Sequence, residues 1–306
     1  MGEKVVPCSA ASLRLVTQAV AQPHALAYRR PVAQSANQQS GFRIVVAGGG
    51  FAGGTLALAL AQLAPRTCRV TLVDAAPPNV AREPDGRGLA LSPSSKNLLS
   101  AIGLWPRLAP GAQSMDSIEI TDSPLNAALR PHLLGFTDEL RDEGAKAWLV
   151  EAGALLAAIT EAVVAHPGIE LIGRDTVQGF EADGFGADIH LASGRTLRAA
   201  LIAAADGKNS RLRELAGIKC IGWSYAQKGI VATLSHERPH RGRAIQHFLP
   251  AGPFAILPLK GNRSSIVWTE DADKATALVG GDTDVFLTEL GRRFGHRLGA
   301  IFLEDR

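Results

Sequence analysis

FRIVVAGGGFAGGTLALALAQLA, residues 42–64, decides the reading of this chain. Its first half is a continuous Val/Ile run, the mark of a strand covered on both faces in a parallel sheet. Five glycines then fall within seven positions, Gly48 to Gly54, and a small-residue helical stretch follows. The segment carries no charge between Ile44 and Ala64, which is long enough to suggest a membrane span. Glycine clustering directly after a β-branched run would break such a helix, whereas a strand–turn–helix needs it. Gly48-Gly49-Gly50-Phe51-Ala52-Gly53 matches G-x-G-x-x-G. In that motif the first glycine makes the tight turn out of the strand. The second lets backbone approach a pyrophosphate, and the third permits close helix–sheet packing. The helix N-terminus faces the anion.

A bare match is weak, so context matters. RVTLVD (69–74) reads as the next strand, and Asp74 ends it 21 residues after Gly53, where a carboxylate accepts ribose hydroxyl hydrogen bonds. Taken alone, Asp74 is also an ordinary turn residue. Together the elements make a β-α-β opening and predict a doubly wound α/β fold that binds a dinucleotide.

The whole chain sets bounds. Its 306 residues suffice for one large or two medium domains. With 46% hydrophobic and 20% charged residues, the profile is that of a soluble globular protein. A net charge of +3, with no basic block interleaved with aromatics, argues against nucleic acid as a partner. Cys8, Cys68 and Cys220 are isolated, and the eight histidines lack ligand spacing, so no metal site is expected. His240 and His247 read as surface or packing residues. Residues 1–40 hold no acid after Glu3 and are rich in Ala, Ser and Gln; they read as a poorly ordered tail, with a transit peptide as the alternative.

Further along, SPSSKNLL (92–99) reads as a capped helix start and SIEITD (117–122) as a strand. AWLVEAGALLAAITEAVVAHPG (147–168) has helical spacing. TVQGFEA, ADIHLA and RTLRAALIAAA form an antiparallel meander, the last third is strand-rich, and TDVFLTELGRRFG (283–295) is a helix. The run LRAALIAAA (197–205) reads as a buried strand that leads into AADGKNSRLR, where Asp206-Gly207 makes a turn and Ser210 caps a helix.

VVAGGGFAGG, the segment Arg87 to Ser92, and AADGKNSRLR together resemble the FAD-dependent aromatic hydroxylases of the para-hydroxybenzoate hydroxylase fold. RGLALSPSSKNLLSAIGLW and ERPHRGRAIQHFLPAGPFAILPLKGNRSSIVWT resemble the ubiquinone-biosynthesis hydroxylases within that group, and the resemblance covers about residues 42–306. It implies a Rossmann-type FAD-binding domain, residues 41–115 and 145–218, interleaved with an antiparallel-sheet substrate domain, residues 116–144 and 219–306. It implies FAD held by Gly48, Gly50, Phe51, Ala52, Gly53, Asp74, Arg87, Asp206 and Gly207, NAD(P)H as a transient cosubstrate, and a hydrophobic, prenylated phenol as substrate. No catalytic acid or base is named. The location implied is cytoplasmic and peripheral to a membrane or in a biosynthetic complex, or mitochondrial if the tail is a transit peptide. The family's later Gly-Asp-Ala-Ala-His motif has no counterpart before Arg306, and Gly281-Asp282-Thr283 does not replace it. A C-terminally truncated form with a weakened flavin site is therefore the expectation. A non-catalytic remnant and a reductase of the same flavoprotein fold are the alternatives.

Overall fold

The structure, a computed structural model, describes residues 42–64, 68–77, 87–125, 131–136 and 147–305; the readings made for the tail and for Cys8 lie outside them. The chain opens with β1 (Phe42–Ala47), α1 (Phe51–Leu63) and β2 (Cys68–Asp74). β3 (Gly88–Leu91) leads to α2 (Pro93–Ala101), where Ser92 caps the helix by accepting from the Ser95 N–H at 3.2 Å and Pro93 sits at the first position. A short α3 (Trp105–Leu108) precedes β4 (Gln113–Met115), β5 (Ser117–Asp122) and β6 (His132–Phe136). Then come β7 (Ala147–Glu151), α4 (Ala152–Ala165), β8 (Ile169–Gly173), β9 (Val177–Asp183), β10 (Gly186–Leu191), β11 (Thr196–Ala199) and β12 (Leu201–Ala204).

Two readings change here. AWLVE is not the start of the following helix: it is β7, paired antiparallel with β3 on one side and β4 on the other. Leu149 and Val150 are buried there, and the helix begins only at Ala152. LRAALIAAA is likewise two strands. Leu197 and Ala199 of β11 pair with β10, and after Ala200, β12 runs parallel to β1 in another sheet. That second sheet has the order β12-β1-β2-β8 and is parallel throughout. α1 and α4 pack on it. Gly54 of α1 stands where any Cβ would lie 2.3 Å from Ile159 of α4, so the second half of the glycine run serves close helix–helix approach.

The remainder comprises α5 (Arg211–Leu215), β13 (Gln227–His236), β14 (Arg243–Leu249), β15 (Gly252–Leu259), β16 (Arg263–Asp271), α6 (Ala272–Gly280), α7 (Thr283–Phe294) and β17 (Ile301–Asp305). α6 and β17 add to the elements read from the sequence. Asp282, from the sequence Gly281-Asp282-Thr283, caps α7 by accepting from the Asp284 N–H at 2.7 Å. The seven-stranded sheet runs β17-β13-β16-β15-β14-β5-β6. Its pairs are antiparallel except β14 with β5. One face packs Ile230, Phe254, Ile266 and Trp268 against Phe286, Leu290 and Phe294 of α7. His247 and His240 are buried, so their role is in packing.

α7 is fastened by a buried ion pair. Arg293 Nη2 donates to Glu270 Oε2 at 2.8 Å, and each side chain is only 2% exposed. The guanidinium lies 4.1 Å from the Trp268 ring centroid and also donates to Glu289 at 2.6 Å. Burial pushes the Glu270 carboxyl up, yet Lys274, the Asp271 N–H and Arg293 together hold it below the ordinary carboxylate range. A carboxyl depressed in the folded state stabilises above its unfolded pKa, and that contribution is lost as pH falls through the folded value. Removing one partner strands the other charge, so Arg293→Ala is expected to cost about 3–5 kcal/mol. Urea unfolding at neutral pH checks this, and the deficit against wild type should shrink on acidification as Glu270 protonates.

Candidate functional site

The C-terminal ends of β1, β2 and β12 converge on the start of α1, and the glycine run lies at that convergence. Gly48 has φ +100°, a conformation glycine adopts without strain. Its N–H donates to the Val73 carbonyl at 2.7 Å, and the Ala205 N–H donates to the Ala47 carbonyl at 2.8 Å. A Cβ on Gly48 would fall 2.3 Å from the Ala205 carbonyl oxygen and 3.0 Å from Asp206 Cα. The two glycine turns, one at the front of the chain and one past its midpoint, therefore meet backbone to backbone. Gly53 completes the approach: a Cβ there would lie 1.8 Å from the Gly48 carbonyl oxygen and 3.0 Å from Ala205 Cβ.

Gly50 differs. It is the N-cap of α1 in extended backbone, and a Cβ on it would meet nothing within 4 Å. No side chain caps α1 and no acid stands in its first turn, which Phe51, Ala52 and Gly53 occupy. The N–H groups of that turn thus keep their hydrogen-bonding capacity and the positive end of the helix dipole. Asp74, at the end of β2, accepts from the Ala76 N–H at 2.7 Å and from the Gly49 N–H. Gly49 belongs to the site although sequence spacing did not single it out, since any Cβ there would strike the Asp74 carboxylate at 2.2 Å. The run of three glycines was the signal.

On the second turn, Asp206 accepts from the Leu212 N–H at 3.2 Å, and Ser210 caps α5 by accepting from the Arg213 N–H at 3.0 Å. Gly207 has φ +96° and faces open space. Arg211 and Arg213 donate to the carbonyls of Gln178 and Lys208 in solvent-exposed hydrogen bonds. Gly48, Gly50, Phe51, Ala52, Gly53, Asp74, Asp206 and Gly207 thereby lie at the adjoining ends of β1, β2 and β12. Arg87 is exposed at another junction, the entry to β3. Its carbonyl accepts from the Ala152 N–H at 2.9 Å, while the next residue, Gly88, donates its N–H to the Ser265 hydroxyl at 3.1 Å.

Ser265 identifies the face of the seven-stranded sheet turned toward β3. Register carries that face outward to Gln246 and Phe248 of β14, Ile118 and Ile120 of β5, and Leu134 and Phe136 of β6. Leu134, Phe136 and Phe248 are 48%, 46% and 45% exposed, an apolar stretch toward the β6 edge of that face. Among the described residues, no group of three or more His, Cys, Asp or Glu side chains could hold a metal, and no helix is long and apolar enough to cross a membrane.

A parallel sheet whose first turn is a glycine cradle, with open N–H groups and an acidic residue closing the next strand, defines a Rossmann-type dinucleotide-binding protein. The cradle fits an anionic dinucleotide: Gly50 and Gly207 leave room, and α1 offers an uncapped positive end. The chain belongs to the FAD binding domain family, whose model matches residues 42–295. It is 38% identical over 273 residues to ubiquinone hydroxylase UbiL of Rhodospirillum rubrum, covering 89% of this chain and 61% of that protein. It is 29% identical over 269 residues to the mitochondrial ubiquinone biosynthesis monooxygenase COQ6 of Mus musculus, covering 83% of this chain and 55% of the relative. The chain thus spans 61% and 55% of the length of these two relatives. In fold it matches p-nitrophenol 4-monooxygenase PnpA of Pseudomonas putida DLL-E4 with a TM-score of 0.65, at 18% identity, over 87% of this chain and 66% of that one.

The two glycines test the geometry separately. Gly48→Ala combines a left-handed φ with a backbone clash and should lower stability by about 1–2 kcal/mol or more. Gly50→Ala, extended and facing open space, should melt within a degree or two of wild type. Thermal melts of the two variants check the contrast.

Proposed function

We propose that this chain holds FAD across the crevice between the two glycine turns and acts in a flavin-dependent monooxygenase that hydroxylates a prenylated phenol of ubiquinone biosynthesis, with NAD(P)H and O2 as cosubstrates. The observation that carries this reading is the close approach of Gly48 to Ala205 and Asp206, which brings the two turns together backbone to backbone. In this reading Gly50, Phe51, Ala52 and Gly53 present the α1 N–H groups to the pyrophosphate, Asp74 accepts from ribose hydroxyls, and Gly207 allows close approach from the second turn. Asp206 fixes that turn through the Leu212 N–H. Arg87, between β3 and the large sheet, faces the cofactor's other end. Bound FAD supplies hydride acceptance from NAD(P)H and dioxygen activation. The protein's part is to orient the phenol and exclude water, which the apolar wall of Leu134, Phe136 and Phe248 serves.

Residues 41–115 and 145–218 are proposed as the FAD-binding domain and residues 116–144 and 219–306 as the substrate domain. Likeness to a named ubiquinone hydroxylase supports the substrate class, and likeness to a mitochondrial relative supports a mitochondrial location for a chain carrying a transit peptide; a chain without one would be cytoplasmic and peripheral to the membrane.

Titration of the protein with FAD, followed by quenching of flavin fluorescence, tests the core of the proposal. Saturable binding is expected, with Gly50→Val weakening it at least tenfold while melting as wild type does, because its branched side chain fills open space meant for the pyrophosphate. Unchanged affinity in that variant would remove the glycine turn from the site. NAD(P)H oxidation stimulated by a prenylated phenol tests the activity, and Phe248→Asp should raise KM more than it lowers kcat.

A further inference from the structure

β14 holds β5, and through it β6, to the rest of the seven-stranded sheet, and the hold begins at the turn that opens β14. That turn runs His240-Arg241-Gly242-Arg243 and is closed by the Arg243 N–H, which donates to the His240 carbonyl at 3.1 Å. Arg241 and Gly242 stand in succession at φ +53° and +67°. A side chain disfavours that conformation, so the turn is strained at Arg241 and needs fastening. The Gly242 carbonyl accepts from the Asp116 N–H at 2.8 Å and from the Ser117 N–H at 3.4 Å, which seats the start of β5. A Cβ on Gly242 would strike the Asp116 carboxylate, so the two segments meet closely.

His240 is the fastener. It is 8% exposed, and its ring bridges two backbone groups of opposite kind. The Leu259 carbonyl, 2.7 Å from Nε2, can only accept, so Nε2 carries the ring proton. The Gly242 N–H, 3.0 Å from Nδ1, can only donate, so Nδ1 is bare. A second proton on this ring sets two N–H groups head to head, and neither backbone group can reverse its role. His236, its ring 5.7 Å away, is bonded differently. Its Nδ1 donates to the Arg238 carbonyl at 2.7 Å, and its Nε2 faces the Ser264 hydroxyl at 3.1 Å, which can turn either way. Burial and, less strongly, the neighbouring His240 hold the His236 imidazole below its ordinary range.

The other charged side chains of the elements meeting here are mostly cations. Arg263 of β16 bonds to Glu151 and Glu304, and Arg243 pairs with Glu119. Arg238, Arg241 and Lys260 lie in the flanking turns, and Glu237 accepts from the Ala300 N–H. Asp116 is the carboxylate at the turn itself. Further along the same seam, His247 bonds to the Thr121 hydroxyl.

We infer that His240 is a proton-sensitive latch on the seam between β14 and β5: neutral, it holds the Gly242 turn and with it β5 and β6; protonated, it opposes the Gly242 N–H and the turn gives way. The released turn relaxes at Arg241, the Gly242 carbonyl swings off Asp116 and Ser117, and the seam opens from that end. The proton comes from solvent, and no other bond is made or broken covalently. The inference does not depend on the flavin reading, because none of these residues belongs to the glycine turns.

Hydrogen–deuterium exchange of the full chain at pH 7.5 and pH 5.0, corrected for intrinsic exchange, tests it. Protection over residues 113–122 and 240–249 should fall at least about tenfold at the lower pH, while protection over 42–74 stays within about threefold. His240→Asn, whose side-chain oxygen accepts from the Gly242 N–H but takes up no proton, should show the same protection at both pH values, and His247→Gln should keep the acid loss. In nuclear magnetic resonance of the unsubstituted chain, the His240 Nδ1 and the Gly242 amide should titrate with one midpoint. Equal protection at both pH values in the unsubstituted chain, an acid loss that survives in His240→Asn or vanishes in His247→Gln, or a Gly242 amide that does not move with the His240 ring would overturn the inference.

Discussion

The contact on which the rest depends is between two stretches of backbone, Gly48 and Ala205–Asp206. β12 arrives beside β1 after more than 150 intervening residues and exits the sheet directly against the turn that β1 makes. Neither side can retreat: the Ala205 N–H is bonded to the Ala47 carbonyl, and the Gly48 N–H to the Val73 carbonyl, so both turns are fixed by the ladder of the sheet itself. With a Cβ 2.3 Å from a carbonyl oxygen, only glycine satisfies the position. The same closeness puts the uncapped start of α1 and the turn that holds left-handed Gly207 at the same end of the sheet. The two turns cannot be separated without breaking the parallel sheet.

This part of the molecule was legible in the sequence because its requirements are local. A tight turn with positive φ, an uncapped helix start and an acid at the end of the next strand each follow from residue types within a 33-residue window, Phe42 to Asp74. The second turn was legible only by resemblance, since an Asp-Gly pair after an apolar run fits any loop. Sequence pattern misled where a strand and a helix abut with no break. Ala147 to Ala165 is apolar almost throughout, and nothing in its spacing marks the boundary at Ala152. What makes Ala147–Glu151 a strand is β3 and β4 on its flanks, a tertiary circumstance. LRAALIAAA joined two strands for the same reason: the turn at Ala200 transfers the chain between sheets without a glycine or proline to announce it. Arg87 was named as part of the site, and the structure places it at the seam with the large sheet, a location no spacing encodes.

The large sheet draws its strands from two distant parts of the chain. β5 and β6 join β14 from more than 100 residues upstream, in the one parallel pairing of that sheet. This insertion extends the sheet past the reach of α7. On one face the extension exposes Leu134, Phe136 and Phe248, and on the other it leaves an arginine-lined cavity at the end of α7. Among the described residues, both features go with a sheet wider than the cover that α7 gives it.

That asymmetry also explains why the buried ion pair sits where it does. α7 covers the middle of the sheet with Phe286, Leu290 and Phe294, and burying each such side chain is worth about 2 kcal/mol. Apolar packing is non-directional and would allow the helix to slide toward β14 and β5. Arg293 prevents this. Its guanidinium is stacked on Trp268 and bonded to Glu270 of the same strand, so displacement by one residue would leave a charge buried without its partner. The pair therefore fixes the register of α7 on β16. The apolar contacts supply most of the adhesion, and the ion pair selects where it is applied.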